Sequence, residues 1–329
     1  MPNSYQSKHV LVTGAGGFIG SHLAERLVRE GAKVTAMVHY NALGSNGWLN
    51  TSDLKNEMTI GAGDICDPGF MQTIIEGKDI VFHLAALIAI PYSYVAPESY
   101  VRTNVIGTLN VLQAACRCGT GRVLHTSTSE VYGTALYVPI DEKHPLQGQS
   151  PYSASKIGAD KMAESFHRSF DLPCVTVRPF NTFGPRQSAR AVIPTIISQI
   201  LTNGVVKLGS LSPTRDLNYV DNTVDGFLAA GLDPAAIGQT ISFGSGREIS
   251  IGDLAALIAR MVGKDVPVVQ EADRLRPHQS EVERLLADNT LAKELLGWEP
   301  KTNLETGLAR TIEWFRGNHH RYDSNKYTI

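Results

Sequence analysis

VLVTGAGGFIG, the sequence of residues 10–20, is the stretch that decides the fold. A short apolar run breaks there into three evenly spaced glycines, Gly14, Gly17 and Gly20. Apolar residues then recur with helical spacing, and a second strand-like run occupies residues 33–38. This order of strand, turn, helix and strand predicts a dinucleotide-binding unit. The glycines let the backbone approach a pyrophosphate, whose charge is favoured at the N-terminus of the helix.

The end of the second strand carries no acidic residue. In such units a carboxylate at this place binds the ribose hydroxyls and repels a 2′-phosphate. Here Val38 is followed by His39 and Tyr40, so the usual discrimination against the phosphorylated cofactor is missing, and His39 can lie beside the phosphate. The sequence therefore leaves NAD and NADP both open. Asp64 is interpreted either as a contact of the adenine amino group or as an ordinary turn residue.

A second motif lies far from the glycine turn. Tyr152 and Lys156 stand four residues apart in residues 152–170, a segment that predicts a helix beginning after Pro151. On one helix face, the ammonium group would lie near the phenol and stabilise its ionised form. A free phenol, with a pKa of about 10, is a poor base at neutral pH. Residues 126–133 add hydroxyl groups and a carboxylate, so the two segments together predict a redox-active site.

Strand-like runs alternate with helical patterns through residue 178. This alternation predicts an α/β fold with a Rossmann-type, doubly wound parallel sheet, followed by a smaller C-terminal α/β substrate lobe. We predict a dinucleotide-binding domain over residues 1–178, to which residues 213–243 return, and a substrate-binding lobe formed by residues 179–212 and 244–329. Predicted strands cover residues 10–13, 34–38, 80–83, 122–127 and 174–178, and predicted helices include residues 193–201, 251–262 and 304–315.

Composition limits the classes of protein that the chain can belong to. Its 329 residues are 43% hydrophobic and 19% charged, which is ordinary for a globular protein, and a net charge of -2 gives no sign of nucleic-acid binding. The longest apolar stretch, residues 80–90, is too short to span a bilayer, and no targeting pattern precedes the glycine turn. The four cysteines match no metal-site spacing. We therefore expect a cytoplasmic protein with reduced thiols, no metal and no membrane partner.

With these motifs in place, the chain resembles the extended short-chain dehydrogenase/reductase family, also known as the NAD-dependent epimerase/dehydratase family. The resemblance runs from residue 10 almost to residue 314. Further matching motifs are HLAA at residues 83–86, RPFN at 178–181, RDLNYVD at 215–221 and LLGWEP at 295–300. Members of this family mostly act on nucleotide-diphosphate sugars. The resemblance also implies a homodimer, formed through the helix that begins at Tyr152 and the one over residues 105–116.

The resemblance assigns roles to individual residues. The implied catalytic residues are Thr128, Ser129, Glu130, Tyr152 and Lys156. The implied cofactor contacts are Gly14, Gly17, Phe18, Ile19, Gly20, His39, Asp64, Ile65, Leu84, Ala85, Ala86, Asn104, Tyr152, Lys156 and Pro179. The implied substrate contacts are Ile88, Thr128, Asn181, Arg186, Arg215 and Arg276. Asn104 is alternatively a structural amide that bridges a helix to the sheet. Each arginine is alternatively a surface residue or an ion-pair partner.

The sequence Thr128-Ser129-Glu130 bears on which reaction is catalysed. Simple 4-epimerases of the family usually carry small, uncharged residues after the catalytic Ser or Thr, whereas this pattern resembles certain 4,6-dehydratases and the uronic-acid decarboxylases. A decarboxylase substrate needs a cation near C6, and residues 86–94 contain no Arg or Lys. The sequence YSASK at residues 152–156 also resembles the dehydratase form. The alternative for Glu130 is a structural pair with a nearby Lys or Arg.

For a dehydratase, the resemblance implies the following steps. Tyr152 takes the proton of the sugar 4-hydroxyl while C4 gives hydride to the cofactor, and Thr128 holds the same oxygen. Glu130 removes the C5 hydrogen, and Ser129 or Glu130 assists the departure of the C6 hydroxyl as water. Hydride then returns to C6, so that the tightly bound cofactor is recycled in each turnover.

The loops most closely resemble the N-acetylglucosamine nucleotide 4,6-dehydratases of legionaminic acid biosynthesis. That resemblance rests on residues 85–94, 126–132, 145–151 and 185–194, and it leaves UDP and GDP both open. The alternatives are a UDP-glucuronate decarboxylase or a 4-epimerase of the same family. A more distant alternative is a protein that binds NAD(P) without catalysis, as a sensor or scaffold.

Overall fold

The computed structural model of the chain describes residues 4–322. Within them the strands are β1 (His9–Thr13), β2 (Lys33–His39), β3 (Thr59–Gly63), β4 (Ile80–His83), β5 (Arg122–Thr126), β6 (Cys174–Pro179), β7 (Asn181–Phe183), β8 (Val206–Leu208), β9 (Thr214–Tyr219), β10 (Thr240–Phe243), β11 (Glu248–Ser250) and β12 (Val268–Gln270). The α-helices are α1 (Phe18–Arg29), α2 (Pro68–Ile75), α3 (Ile90–Val95), α4 (Pro97–Tyr100), α5 (Gly107–Cys118), α6 (Pro151–Phe170), α7 (Val192–Thr202), α8 (Val220–Leu232), α9 (Ile251–Val262), α10 (Thr290–Leu296) and α11 (Leu304–Asn318).

A parallel sheet of seven strands forms the centre of the molecule, in the order β10-β6-β5-β4-β1-β2-β3. Val10 of β1 lies opposite Val34 of β2 and Ile80 of β4, so the strand that leads into the glycine turn is paired on both sides. Every residue of β4 is buried, as expected for a strand covered on both faces. This arrangement confirms the predicted α/β fold with a Rossmann-type sheet.

Helices cover both faces of the main sheet. Val10 and Val12 of β1 face the apolar cluster that includes residues of α1 and α8, whereas Leu11 faces the cluster that includes residues of α5 and α6. A π-helical segment, Val101–Ile106, joins α4 to α5, where the sequence predicted the start of an ordinary helix. The carboxyl ends of β1, β4 and β5 therefore open between two helical layers, at the edge where ligands of such sheets bind.

Smaller sheets follow β6 in the chain. In one of them β9 pairs with parallel β7 and antiparallel β11, and in the other β12 pairs with β8. The chain then returns to the main sheet, because β10 pairs with β6 and places Thr240 opposite Thr176. β9 and β10 both lie in the segment 213–243, so that segment is shared between sheets. The predicted division into two domains stays a prediction.

Nowhere in residues 4–322 is a helix both long and apolar enough to cross a membrane. The same residues contain no group of three or more His, Cys, Asp or Glu side chains that could hold a metal ion.

Candidate active site

The glycine turn leaves the start of α1 open to an anion. Gly14 has a φ of +71°, and a Cβ there would lie 2.9 Å from the backbone nitrogen of Ala85, so only glycine fits the close approach of this loop. Gly17 occupies the N-cap position, where no side chain caps the helix and no acidic residue lies in the first turn. The free N–H groups of this turn fit a pyrophosphate.

A buried threonine and histidine hold the loop that follows β4. Thr13 Oγ1 accepts hydrogen bonds from the backbone N–H groups of Leu84 and Ala85, both at 3.1 Å, and lies 2.9 Å from His83 Nδ1. Burial lowers the pKa of His83 well below its usual value, so the ring is neutral. The loop predicted to line the cofactor channel is thus fixed to the end of β1.

Asn104 links this loop to helix α6. Its Oδ1 accepts from the Leu87 N–H at 2.9 Å, and its Nδ2 donates to the Leu87 carbonyl and to Ser155 Oγ, both at 2.9 Å. Ser155 Oγ in turn donates to the carbonyl of Tyr152 at 2.7 Å. All the polar atoms of the amide are engaged within the protein, which matches the structural role that was the alternative to a direct cofactor contact.

Tyr152 is buried in the first turn of α6, between Ser150 and Ser153, which together form a capping box. Burial is the main cause that raises the pKa of the phenol above its usual value. A hydrogen bond with Thr128 opposes this shift, and the nearby Glu130 carboxylate adds to it. The phenol is therefore protonated in the protein alone, and it needs a further positive charge before it can act as a base at neutral pH.

Lys156 is anchored by a backbone carbonyl at the end of β5. Its Nζ donates to the carbonyl oxygen of Thr126, at the end of β5, over 2.7 Å, and no hydrogen bond joins it to Tyr152 among the described residues. Burial lowers the pKa of Lys156 to about 8, against a raising effect of Asp160. The predicted effect of the ammonium charge on the phenol stays a prediction, since it requires proximity and not a direct hydrogen bond. The strong acceptor at the strand end takes the ammonium group, although the two side chains share a helix face.

The Thr-Ser-Glu segment begins directly after β5. Thr128 caps the 3₁₀ helix Ser129–Tyr132, and its Oγ1 accepts from the Glu130 N–H at 3.2 Å. No ion pair or side-chain hydrogen bond ties the Glu130 carboxylate to another residue among those that the structure describes. Its charge adds to the raised pKa of Tyr152 and opposes the lowering of the Arg215 pKa by burial, so the carboxylate acts electrostatically on both side chains. The predicted structural pairing of Glu130 does not occur as a direct contact.

Two of the predicted substrate arginines share one carboxylate. Arg215 Nη2 lies 3.2 Å from Glu281 Oε1, and Arg276 Nη1 lies 3.6 Å from the same oxygen. Both guanidinium groups suit an anionic diphosphate, because a planar guanidinium forms paired hydrogen bonds with phosphate oxygens. Asn181, at the start of β7, has a buried Oδ1 without a hydrogen-bond partner in the described structure. Arg215, Arg276 and Asn181 thus keep binding capacity that the protein does not use itself.

Arg186 occupies a different setting. Its Nη2 lies 3.0 Å from Glu25 Oε1, and its Nη1 donates to Ser21 Oγ at 3.2 Å, with both partners on α1. The guanidinium group therefore ties the segment after β7 to the first helix. The structure supports the ion-pair alternative for Arg186, and its contact with substrate stays a prediction.

The predicted adenosine contacts lie at the ends of β2 and β3. His39 is exposed at the end of β2, and its Nε2 lies 3.8 Å from Asp64 Oδ2. Asp64 also accepts from the Cys66 N–H at 2.8 Å, as a turn residue does. The Ile65 side chain is buried in the core, and its carbonyl accepts from Asn110 Nδ2 at 3.0 Å. Ile65 consequently offers a cofactor little more than its N–H group.

The remaining predicted contacts border the same edge of the sheet. Phe18 and Ile19 open α1 and are half-buried, as is Ala86 in the loop after β4. Ile88 is exposed further along that loop, and Pro179 is buried at the end of β6, two residues before Asn181.

Sequence reasoning missed Glu281 and Asp160. Glu281 joins Arg215 and Arg276 from a loop that carries no recognisable motif, so no signal announced it. Asp160 is different, because it follows Lys156 by four residues and therefore lies on the same helix face. Its carboxylate binds Arg178 of the RPFN motif, with Nη2 and Oδ2 2.9 Å apart. The spacing could have revealed this residue.

Comparison with known proteins agrees with this geometry. The profile of the GDP-mannose 4,6 dehydratase family matches residues 11–311. The chain is 36% identical to a UDP-glucose 4-epimerase of Mycolicibacterium smegmatis over 93% of its own length and 98% of the relative's. It is 34% identical to a dTDP-glucose 4,6-dehydratase of Streptomyces antibioticus, covering 94% of this chain and 93% of the other.

A solved structure shows the same likeness over the whole fold. The dTDP-glucose 4,6-dehydratase DesIV of Streptomyces venezuelae, solved with NAD bound, superposes with a TM-score of 0.88 at 29% identity, covering 97% of this chain and 100% of that one. The glycine turn follows β1, the Thr-Ser-Glu segment lies shortly after β5, and the Tyr152 and Lys156 pair lies at the start of α6. The chain therefore belongs to the GDP-mannose 4,6 dehydratase family of the extended short-chain dehydrogenases/reductases, a family of nucleotide-sugar dehydratases and epimerases.

Proposed function

We propose that the protein is a nucleotide-sugar 4,6-dehydratase that converts UDP- or GDP-N-acetylglucosamine, or a related hexose nucleotide, to the 4-keto-6-deoxy sugar. The observation that carries this proposal is the Glu130 carboxylate, which lies beside Tyr152 without a direct protein partner. Glu130 is half-buried, and a carboxylate without a protein partner next to the oxidation site is available to move a carbon-bound proton. We further propose that the protein acts as a cytoplasmic homodimer.

The residues divide the reaction between them. Tyr152 takes the proton of the 4-hydroxyl, and Thr128, its hydrogen-bond partner, holds the same oxygen. Once C4 is a ketone, the C5 hydrogen is acidic and Glu130 removes it. Ser129 or Glu130 protonates the departing C6 hydroxyl, and a proton returns to C5. The sugar loses one water in total.

A nicotinamide cofactor fits the uncapped start of α1 and the close approach of Gly14 to Ala85. When bound and oxidised, it supplies a hydride acceptor for C4, the hydride that returns to C6, and a positive charge that lowers the pKa of Tyr152. NAD is favoured because the related dehydratase structure holds NAD. The exposed His39 at the end of β2 keeps NADP open. We propose that the cofactor stays bound and is recycled in each turnover.

Decarboxylation of a uronic-acid nucleotide is the second candidate. The sequence argument against it was the absence of a cation near C6 in residues 86–94. Burial lowers the pKa of Arg215, and the Glu130 charge opposes this shift. The guanidinium group of Arg215 therefore interacts electrostatically with the Glu130 carboxylate. A cation therefore lies near the carboxylate after all. The identity with a UDP-glucose 4-epimerase keeps simple 4-epimerisation as a third outcome.

Mass spectrometry separates these outcomes in one experiment. The purified protein is incubated with UDP-N-acetylglucosamine, GDP-N-acetylglucosamine and UDP-glucuronate in separate tubes, each with NAD or NADP. Loss of one water, about 18 mass units, from an amino-sugar nucleotide supports the dehydratase, and loss of carbon dioxide, about 44 units, from the uronate supports the decarboxylase. An unchanged mass with a new 4-epimer on chromatography would contradict both.

Glu130→Gln tests the role of the carboxylate. The variant should still reduce bound cofactor when substrate is added, since Tyr152 and Thr128 are intact, but it should form 4-keto-6-deoxy product at least about 100-fold more slowly. Glu164→Gln is the matched control, because Glu164 is an exposed acid paired with Lys161 on α6. Full product formation by Glu130→Gln would remove Glu130 from the mechanism.

A further inference from the structure

Lys156 is a buried cation without a direct counter-ion. The residue is 4% exposed, and its ammonium group donates to the neutral carbonyl of Thr126. No carboxylate forms an ion pair with it among the residues that the structure describes. A buried ammonium group loses its hydration and tends to release its proton unless a negative charge lies near it. The structure must supply that charge from a short distance.

Asp160 is the buried acid one helical turn further along α6. It is 4% exposed. Its Oδ1 lies 3.0 Å from His125 Nε2, and its Oδ2 accepts from Ser127 Oγ at 2.8 Å and from Arg178 Nη2 at 2.9 Å. Burial opposes ionisation of this carboxyl, but the His125 hydrogen bond and Arg178 hold its pKa down to about 2. Asp160 is therefore charged across the working range of pH.

The other groups around Lys156 bring no negative charge. His83 on β4 and His125 on β5 are buried, and burial together with Lys156 lowers the pKa of each, so both rings are neutral. Tyr152 is protonated. Arg178 on β6 is positive. Its guanidinium group donates to the Asp160 carboxylate and, through Nη1, to the hydroxyl of Tyr132 at 2.9 Å. Within the described structure, Asp160 is the acid that acts on Lys156.

We propose that Asp160 is a positioning residue that keeps the ammonium group of Lys156 protonated, so that its positive charge can stabilise the ionised phenol of Tyr152 during oxidation at C4 of the sugar. The inference rests on the proposed function only for that first oxidation, which the dehydratase, the decarboxylase and the 4-epimerase share. Asp160 touches neither the sugar nor the cofactor in this account. It acts through Lys156, and it is held for this purpose by donors from β5, the segment after β5, and β6.

The test is the pH profile of cofactor reduction in a single turnover. The substrate is the sugar nucleotide that reduces the bound cofactor of the parent protein. Loss of the Asp160 charge should move the alkaline limb of the profile down by about one pH unit in Asp160→Asn. Asp160→Glu restores the charge and should return the limb towards its original position. Glu164→Gln removes an exposed acid from the same helix and should leave the limb in place. A purely structural role would lower the rate at every pH without moving the limb, and that result would overturn the proposal.

Asp160→Asn leaves Arg178 buried without its counter-ion and can fail to fold for that reason. The double variant Asp160→Asn/Arg178→Gln removes both charges together. Its alkaline limb should also move down, but by less than in Asp160→Asn, because losing the positive charge of Arg178 offsets part of the loss of the Asp160 charge that raises the pKa of Lys156. An unmoved limb in a folded double variant would count against the inference.

A direct titration makes the test independent of the substrate. The carbon-13 shift of Lys156 Cε is followed against pH in the full chain with NAD added, and Lys156→Met identifies the resonance. The midpoint should be about one pH unit lower in Asp160→Asn than in the parent, and lower by a smaller amount in the double variant. Equal midpoints would overturn the inference even if the enzyme is active. If no sugar nucleotide reduces the cofactor, the proposed function fails and this titration still decides the role of Asp160.

Discussion

Gly20→Ala tests the packing of α1 against the glycine turn. Gly20 is buried in the first turn of the helix, and a Cβ there would lie 2.9 Å from the carbonyl carbon of Gly14, closer still to its oxygen, and 3.0 Å from Ala15 Cα. All these neighbours are backbone atoms, so no side-chain rotation can relieve the contact. Carbon atoms prefer a separation of about 3.5 Å or more, and α1 must therefore move by more than about half an ångström.

The expected cost follows from two opposing effects. Overpacking of this kind costs about 3 kcal/mol at the upper end of the usual range. Replacing glycine by alanine inside a helix returns about 1 kcal/mol through helix propensity. The φ angle of Gly20 is not in the left-handed region, so no conformational strain is added. The free energy of unfolding should thus fall by about 2 kcal/mol.

Urea unfolding followed by tryptophan fluorescence, without cofactor, measures this loss. Gly17→Ala is the matched control, since a Cβ at Gly17 meets only the Gly14 oxygen, at 3.3 Å, and its φ of -81° suits alanine. Alanine caps the helix less well than glycine, which destabilises the folded protein, but it also lowers the entropy of the unfolded chain, which stabilises it. These effects nearly cancel, so the free energy of unfolding of this variant should stay within about 0.5 kcal/mol of the parent value. Equal stability of the two variants would refute the packing argument.

Two further predictions concern charge. Burial lowers the pKa of Lys156 from 10.5 to about 8. Between these pH values the unfolded chain therefore binds more protons than the folded one. The free energy of unfolding should consequently rise from about pH 8 to pH 10. In Lys156→Met, urea unfolding across that range should show a flatter dependence, and a rise as large as in the parent would contradict this reading. His39→Asp introduces at the end of β2 the acid that usually repels a 2′-phosphate. It should weaken NADP binding relative to NAD binding at least about tenfold, as calorimetry can measure. An equal change for both cofactors would show that His39 does not face the 2′-phosphate.

The sequence predicted the main sheet well because its signals are local. The β4 strand has the predicted bounds, β2 is longer by one residue at each end, and the other three predicted strands differ by one residue at one end. The strands β3 and β10 of the same sheet were not among those predicted. Glycine spacing and a Tyr-x-x-x-Lys pair are patterns within one short segment of the chain. The glycine turn and helix α6 could therefore be located from the sequence alone. The π-helical segment Val101–Ile106 carries no such signal, and the prediction treated its last residues as ordinary helix.

The direction of a charged side chain could not be predicted in the same way. Lys156 turns to the carbonyl of Thr126, and Arg186 turns to Glu25, because each finds an acceptor that the fold brings from far along the chain. Arg215 reaches the neighbourhood of Glu130 for the same reason. Residue type and local spacing show that such a group is present. Only the tertiary structure shows which partner it binds.

The return of β10 to the main sheet bears on how the chain folds as it is synthesised. β6 pairs with β5 on one side, and its other edge is covered only by β10, which begins at Thr240. A ribosome therefore releases the glycine turn, Tyr152 and Lys156 well before it releases the strand that closes the sheet. During that interval an apolar edge is open to pairing with other nascent chains. A fragment that ends near residue 178 carries the catalytic motifs together with this permanent aggregation hazard.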